Sequence, residues 1–127
     1  MKIVAAVARY LLGLMFLIFG LNSFLMFIKG QMPPGPAGEF ASLLMNTHYA
    51  QVVGAIEIVA AILFLVNRYV PLALVLLGPV LVNILLFHIL MAPATIGPGI
   101  FVTLLWFLVA YHVRSAFAPL FQSRVRA

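Results

Sequence analysis

Glu57 is the residue of this sequence whose position is most informative about function. It lies about nine residues from either end of a long apolar run, so a helix would place it near the middle of a membrane. An acid at that depth costs about 2.5–3.5 kcal/mol to insert, and such residues usually face other helices and take part in function. Ala50, Gly54 and Ala61 share its helical face, which predicts close contact with a neighbouring helix. The alternative is a glutamate that only holds the bundle together.

Arg9 is the natural partner for this acid. It lies near the start of the first apolar run, on the same helical face as Gly13 and Gly20. The rise of a helix places it about 7 Å closer to the membrane edge than Glu57, within reach of an arginine side chain. We therefore predict an Arg9–Glu57 ion pair between the first two helices. The alternative is that Arg9 extends to the lipid headgroups.

Asn83 and His88 add two polar groups to the third apolar run. Asn83 is predicted at about the depth of Glu57, and His88 about five residues nearer the opposite membrane surface. With Glu57 and Arg9 they form a set of candidate ligand-binding residues, because such groups in an apolar wall can hydrogen-bond the oxygens of a quinone-like head group. For Asn83 an interhelical hydrogen bond is the alternative. His48 and His88 without a third ligand are weak evidence for a metal, so no metal site is predicted.

The residue patterns of common enzymes do not occur in this sequence. There is no cysteine, and of the two acids one lies in a predicted loop, which excludes thiol chemistry and two-carboxylate mechanisms. No phosphate loop and no haem, flavin or iron–sulfur ligation signature is present, so electron transfer by this chain alone is not expected. We therefore assign no catalytic residues and leave open whether the protein is an enzyme. A quinone is the class of cofactor that the candidate residues suit.

The composition determines the class of protein that must position these side chains. Of the 127 residues 66% are hydrophobic and 7% are charged, too few charges to cover a soluble domain of this size. The seven Lys and Arg form no basic run, which argues against nucleic acid as a partner. Because the apolar runs are continuous and about 18–26 residues long, they predict transmembrane helices rather than barrel strands. We predict an all-α integral membrane four-helix bundle in the lipid bilayer, one domain over 1–127 with helices at about 3–28, 48–66, 70–91 and 100–117.

The segments between these helices predict the topology. Three prolines and three glycines in Lys29–Glu39 predict irregular chain, with a short interfacial helix at Phe40–Met45. With four spans, six of the seven basic residues fall on one side and Lys29 on the other, so both termini are predicted to be cytoplasmic. The basic residues on that side are Lys2, Arg9, Arg68, Arg114, Arg124 and Arg126.

Several motifs taken together resemble a known membrane family. Arg9 with the following Leu-Leu-Gly-Leu-Met-Phe-Leu-Ile-Phe-Gly-Leu-Asn22 is similar to the first helix of DoxX-family proteins, and Gly54-Ala-Ile-Glu57 to the Gly-x-x-Glu of their second. The run that begins Asn67-Arg-Tyr-Val-Pro, with Pro79, Asn83 and Phe87-His88, resembles a DoxX-like subgroup. The resemblance covers about residues 9–93. Many members have a lysine where this sequence has Ser23, so no role of that lysine is carried over.

The resemblance implies a four-helix bundle in the bacterial cytoplasmic (inner) membrane. The family takes its name from subunits of quinone-linked oxidase systems, and distant members act in assembly or as cargo receptors. The expected function is therefore binding of a small hydrophobic ligand such as a quinone, or service as an accessory subunit of a membrane redox complex. The alternatives are a non-catalytic assembly or interaction protein and a small transporter or proton path that uses Glu57. Redox-complex subunits or a second copy of the chain are the expected protein partners.

Overall fold

A computed structural model describes residues 1–27, 30 and 32–125, and every regular element within them is helical. The α-helices are α1 (Lys2–Leu25), α2 (Pro36–Asn46), α3 (Tyr49–Val66), α4 (Val70–Met91) and α5 (Gly97–His112). Two 3₁₀ helices, Pro93–Thr95 and Arg114–Phe121, precede and follow α5. The described part of the chain contains no strand, which confirms the all-α prediction.

The four long helices pack side by side in a ring. Helix α1 contacts α3 and α5, and α4 contacts the same two helices from the other side, while α2 lies against α3 and α4. Gly13 of α1 lies against Ala61 and Leu65, and Gly20 lies against Gly54 and Ile58, so α1 and α3 are antiparallel. The centre of the ring is filled by fully buried apolar side chains from all four helices: Leu12, Phe16, Phe64, Leu74, Leu77, Val102 and Val109.

The outer surface of this bundle is apolar, as a lipid environment requires. Large hydrophobic side chains are exposed along the length of each long helix, among them Val59, Val75 and Leu104. Helices α1, α3 and α4 are each long and apolar enough to cross a membrane. A fourth span results if α5 and the following 3₁₀ helix, which bend by 82° at their junction, are counted as one. The protein is therefore a membrane protein with three to four apolar helices able to span a bilayer.

The two central helices begin and end close to their predicted limits. Helix α3 starts one residue later than expected, and α4 matches at both ends. Between α3 and α4, Asn67 and Tyr69 adopt left-handed backbone conformations with φ of 55° and 54°. These conformations allow the chain to reverse direction within three residues. Helix α1 ends at Leu25, not at 28, because Met26 also takes a left-handed conformation, with φ 52°. Residue 28 itself lies outside the described residues.

The prediction for the last helix was wrong at both ends. Helix α5 begins at Gly97. Pro98 is accommodated in its first turn, because a backbone N–H at that position has no partner within the helix. The helix ends at His112 instead of 117, and the chain continues as the bent 3₁₀ helix. Pro119 disfavours an α-helical turn over residues 115–118, but it lies too far along the chain to account for the end of α5 at His112.

Helix α2, which we predicted as a short interfacial helix, is longer than expected, because it starts inside the proline- and glycine-rich segment. Pro36 occupies its first turn, and Gly35 precedes it with φ 73°, which suits glycine. Gly38 is buried, and a Cβ there would come within 2.0 Å of the Pro33 carbonyl oxygen. The glycine therefore lets the first turn of α2 fold back against the preceding chain.

The antiparallel ring separates the charges between its two ends. One end, called the basic end here, contains the start of α1, the Asn67–Tyr69 turn and the end of α5, and so carries Lys2, Arg68 and Arg114. Glu39 lies in α2 at the opposite end. Of the basic residues used to predict topology, Lys29 and Arg126 lie outside the described residues.

Candidate functional site

Glu57 is buried in the bundle where α1 and α3 approach most closely. Its side chain is 8% exposed, which confirms that it faces another helix and not the lipid. One turn away, a Cβ on Gly54 would lie 2.7 Å from Ser23 Cβ, and a Cβ on Gly20 would lie 2.8 Å from the Gly54 carbonyl oxygen. The two helices can touch there because neither glycine has a side chain.

One oxygen of the Glu57 carboxyl group is not satisfied by its surroundings. This oxygen, Oε2, is fully buried and has no hydrogen-bond partner in the part of the chain that the structure describes. A buried carboxylate oxygen without a donor is unfavourable, because transfer from water into an apolar environment removes its hydrogen bonds. Unpartnered polar atoms of this kind are rare in folded proteins and often have a functional explanation.

The predicted Arg9–Glu57 ion pair does not form. The contacts of Gly13 and Gly20 set the register of α1 against α3 and place Glu57 level with residues 17 to 21 of α1. Arg9 lies about ten residues before that level, which is about 15 Å along the helix axis and twice the predicted offset. The prediction was wrong because it counted depth from the chain ends and could not know this register.

Arg9 instead stabilises the end of α3. Its guanidinium donates a hydrogen bond to the Phe64 carbonyl oxygen, one of the last carbonyls of α3, which lack partners inside the helix. The same group lies over the ring of Tyr10, 4.3 Å from the ring centre, in a cation–π contact. These two contacts hold the Arg9 side chain in one place at the basic end. The alternative for Arg9, extension toward lipid headgroups, would place those headgroups at the same end of the bundle.

Asn83 and His88 each use one side-chain nitrogen to bond a carbonyl oxygen of their own helix. The Asn83 amide donates to the Pro79 carbonyl oxygen at 2.8 Å, and its side chain is exposed on the outer surface of α4. His88 is half-buried, and its Nδ1 donates to the Ile84 carbonyl oxygen at 2.8 Å, since a carbonyl can only accept. In the neutral ring Nε2 is then the acceptor that remains for a ligand. The structure thus does not bring Glu57, Asn83, His88 and Arg9 together at one wall.

A recess lies at the end opposite to the basic end, and His88 contacts its wall residue Phe87 without lining the recess itself. This apolar recess has a volume of about 610 Å³, within the usual size range of small-molecule sites. Phe87 forms part of its wall and stacks on Phe40 of α2, with ring centres 5.7 Å apart, while the His88 ring meets the Phe87 ring edge-on at 5.1 Å. The recess is lined by Pro33, Pro34, Ala37, Ala41, Phe87, Met91, Ala92, Pro93, Ala94 and Thr95.

Trp106 has a role that the sequence analysis did not assign. Its indole Nε1 donates to the Leu74 carbonyl oxygen at 3.0 Å and so links α5 to α4. The available signal was the indole N–H itself, which needs an acceptor when an apolar surrounding excludes water. The contribution of residues 33–41 and 91–95 to the recess was also missed, because proline and alanine carry no chemical signature of a binding site.

Comparison with known proteins gives one match. The DoxX family model matches residues 4–89, which include α2, α3 and nearly all of α1 and α4. No curated protein and no solved structure matches the chain. The matched segment contains Glu57, the Gly20–Gly54 contact and the aromatic wall of the recess. Since the match extends over more than half of the chain, this protein belongs to the DoxX family.

Proposed function

We propose that this DoxX-family membrane protein binds a small hydrophobic ligand with a quinone-like head group, alone or as an accessory subunit of a redox complex in the bacterial inner membrane. The observation that carries the proposal is the apolar recess of about 610 Å³ with Phe87 in its wall and the His88 ring in contact with Phe87. A flat ring would stack on Phe87, and the proline, alanine and methionine side chains would hold the apolar remainder.

The polar groups near the recess suit both redox forms of such a head group. A quinol hydroxyl would donate to Nε2 of His88, whose Nδ1 is already used by the Ile84 carbonyl. A quinone carbonyl would accept from the hydroxyl of Thr95, which lines the recess and would exchange its 3.2 Å hydrogen bond to the Ala92 carbonyl oxygen for this contact. In this proposal His88, which lies behind Phe87 and does not line the recess, reaches the head group through Nε2, whereas Glu57, Asn83 and Arg9 act elsewhere in the bundle.

Binding is expected to raise the melting temperature of the purified protein in detergent. A short-chain ubiquinone or menaquinone analogue at about 100 times its Kd should stabilise the fold by about 2.7 kcal/mol. Phe87→Ala and His88→Ala should each lose most of this shift, measured against the melting temperature of the same variant without ligand. The matched controls are Phe101→Ala and His48→Ala, because both side chains are exposed and neither lines the recess.

Two outcomes would contradict the proposal. One is an equal shift in the wild type, both recess variants and both controls, and the other is no shift with any quinone tested. Either result would favour the reading as a non-catalytic assembly or interaction protein.

One observation favours a second candidate function, a proton path or small transporter that uses Glu57. The buried Oε2 has no partner among the described residues, and acids within membrane helices are typical of proton relays. Glu57 is enclosed by packed helices and does not line the recess. The hydrophobic ligand therefore stays the first candidate.

The proposed orientation places the basic end in the cytoplasm and the recess toward the outside, with α5 as a fourth span. It rests on the concentration of Lys and Arg at the basic end. The chain has no cysteine, so single engineered cysteines can be labelled cleanly. A membrane-impermeant maleimide is expected to label Asn46→Cys in intact cells and Ser123→Cys only after permeabilisation. Labelling of Ser123→Cys from outside would contradict this orientation.

A further inference from the structure

A second cavity lies at the basic end of the bundle, far from the apolar recess. It has a volume of about 210 Å³ and is enclosed by the first turns of α1, the turn before α4 and the last turn of α5. We call it the basic cavity. Its wall consists of Lys2, Ala5, Ala6, Arg9, Asn67, Val70, Val109, His112 and Val113.

The polar side chains of this cavity include two cations and two further hydrogen-bonding groups, set among alanine and valine. Lys2 and Arg9 are positively charged, and Asn67 and His112 add an amide and an imidazole. Arg9 donates one N–H to the Phe64 carbonyl oxygen, and its guanidinium stacks on the Tyr10 ring. These contacts fix the position of its remaining N–H donors beside the cavity. A fixed guanidinium and a mobile ammonium together are typical of sites that bind phosphate oxygens.

The charge at the basic cavity is not balanced by acidic side chains. The sequence has two acids: Glu39 lies in α2 at the opposite end, and Glu57 lies about 15 Å away along the bundle axis. The positive ends of the α1 and α4 dipoles also meet here, and neither helix has a side-chain cap or an acid in its first turn. The negative ends of α3 and α5 are covered, because Arg9 and Arg114 donate to carbonyls in their last turns.

We infer that the basic cavity binds a phosphate group. A phosphate is small enough for about 210 Å³, and its oxygens would accept from Arg9, Lys2 and Asn67 at once. The cavity lies at the end of the membrane-spanning helices, which is also the level of lipid headgroups. The phosphate is therefore that of an anionic phospholipid or of a small soluble phosphate compound. This inference does not depend on the quinone proposal, which concerns the other end of the molecule.

The test uses the full chain, purified in a neutral detergent and freed of bound lipid. One arm titrates a water-soluble short-chain phosphatidylglycerol, and the other titrates inorganic phosphate, with thermal unfolding as the readout. We expect saturable stabilisation of the wild type in at least one arm. Stabilisation by the lipid alone identifies a headgroup site, and stabilisation by inorganic phosphate identifies a site for soluble phosphate compounds.

The variants separate a specific site from a general effect of positive charge. Lys2→Glu reverses a charge of the cavity at an exposed position, where an acid suits the first turn of a helix and the fold should be kept. Its apparent Kd should rise about tenfold or more, as expected for the loss of a charge-assisted hydrogen bond. Arg68→Glu is the matched control, since Arg68 is exposed at the same end and does not line the cavity. Equal Kd values for the wild type and both variants, or no saturable stabilisation in either arm, would overturn the inference.

Discussion

A single methyl group added at Gly20 or Gly54 is expected to destabilise this protein by about 1–3 kcal/mol, the usual range for overpacking. A Cβ on Gly20 would lie 2.8 Å from the Gly54 carbonyl oxygen, and a Cβ on Gly54 would lie 2.7 Å from Ser23 Cβ. Backbone atoms cannot yield as a flexible side chain can, so α1 and α3 must move apart. Unfolding of Gly20→Ala and Gly54→Ala with increasing mole fraction of a denaturing detergent measures the loss.

Gly78→Ala is the matched control for this prediction. Gly78 lies inside α4, but a Cβ there would meet no atom within 4 Å. The substitution should therefore change stability by less than about 1 kcal/mol, because the higher helix propensity of alanine is opposed by the contact of its Cβ with the ring of the following Pro79. If all three variants changed stability in the same direction and by the same amount, the close contact of α1 and α3 would be refuted.

Replacing Glu57 by methionine is expected to stabilise the bundle, by about 1–3 kcal/mol. The carboxyl Oε2 is buried without a partner in the described chain, and methionine has a similar length without the polar group. Glu39→Met is the control, since Glu39 is exposed in the first turn of α2 and its loss should cost at most about 1 kcal/mol. A loss of about 3–5 kcal/mol for Glu57→Met would instead indicate that a buried charged partner had been left behind.

The double variant Arg9→Met with Glu57→Met completes this test. Because the two residues are about 15 Å apart along the bundle axis, their effects should add within about 0.5 kcal/mol. Arg9→Met alone should be destabilising, since it removes the hydrogen bond to the Phe64 carbonyl oxygen. A stabilising Glu57→Met would mean that the protein keeps an acid at a cost in stability, which is typical of residues retained for function.

The order and nature of the elements could be predicted from the sequence because they depend on local composition. Long uninterrupted apolar runs require helices in lipid, where every backbone polar group must be bonded internally. The limits of α4 were predicted to the residue, since Asn67, Tyr69 and Pro71 act on the chain next to them. The burial of Glu57 was also predictable, because small residues on its own helical face mark a contact surface whichever helix covers it.

The tertiary structure alone decided which polar groups meet. A helical wheel gives angles and rise within one helix, but it does not give the axial offset between two helices, and that offset separates Arg9 from Glu57. Helix α4 is apolar on both its exposed and its buried sides. Its sequence therefore has no amphipathic pattern from which the exposed position of Asn83 could be predicted. The two cavities form where segments distant in sequence converge, and their positions follow from packing geometry that local residue patterns do not encode.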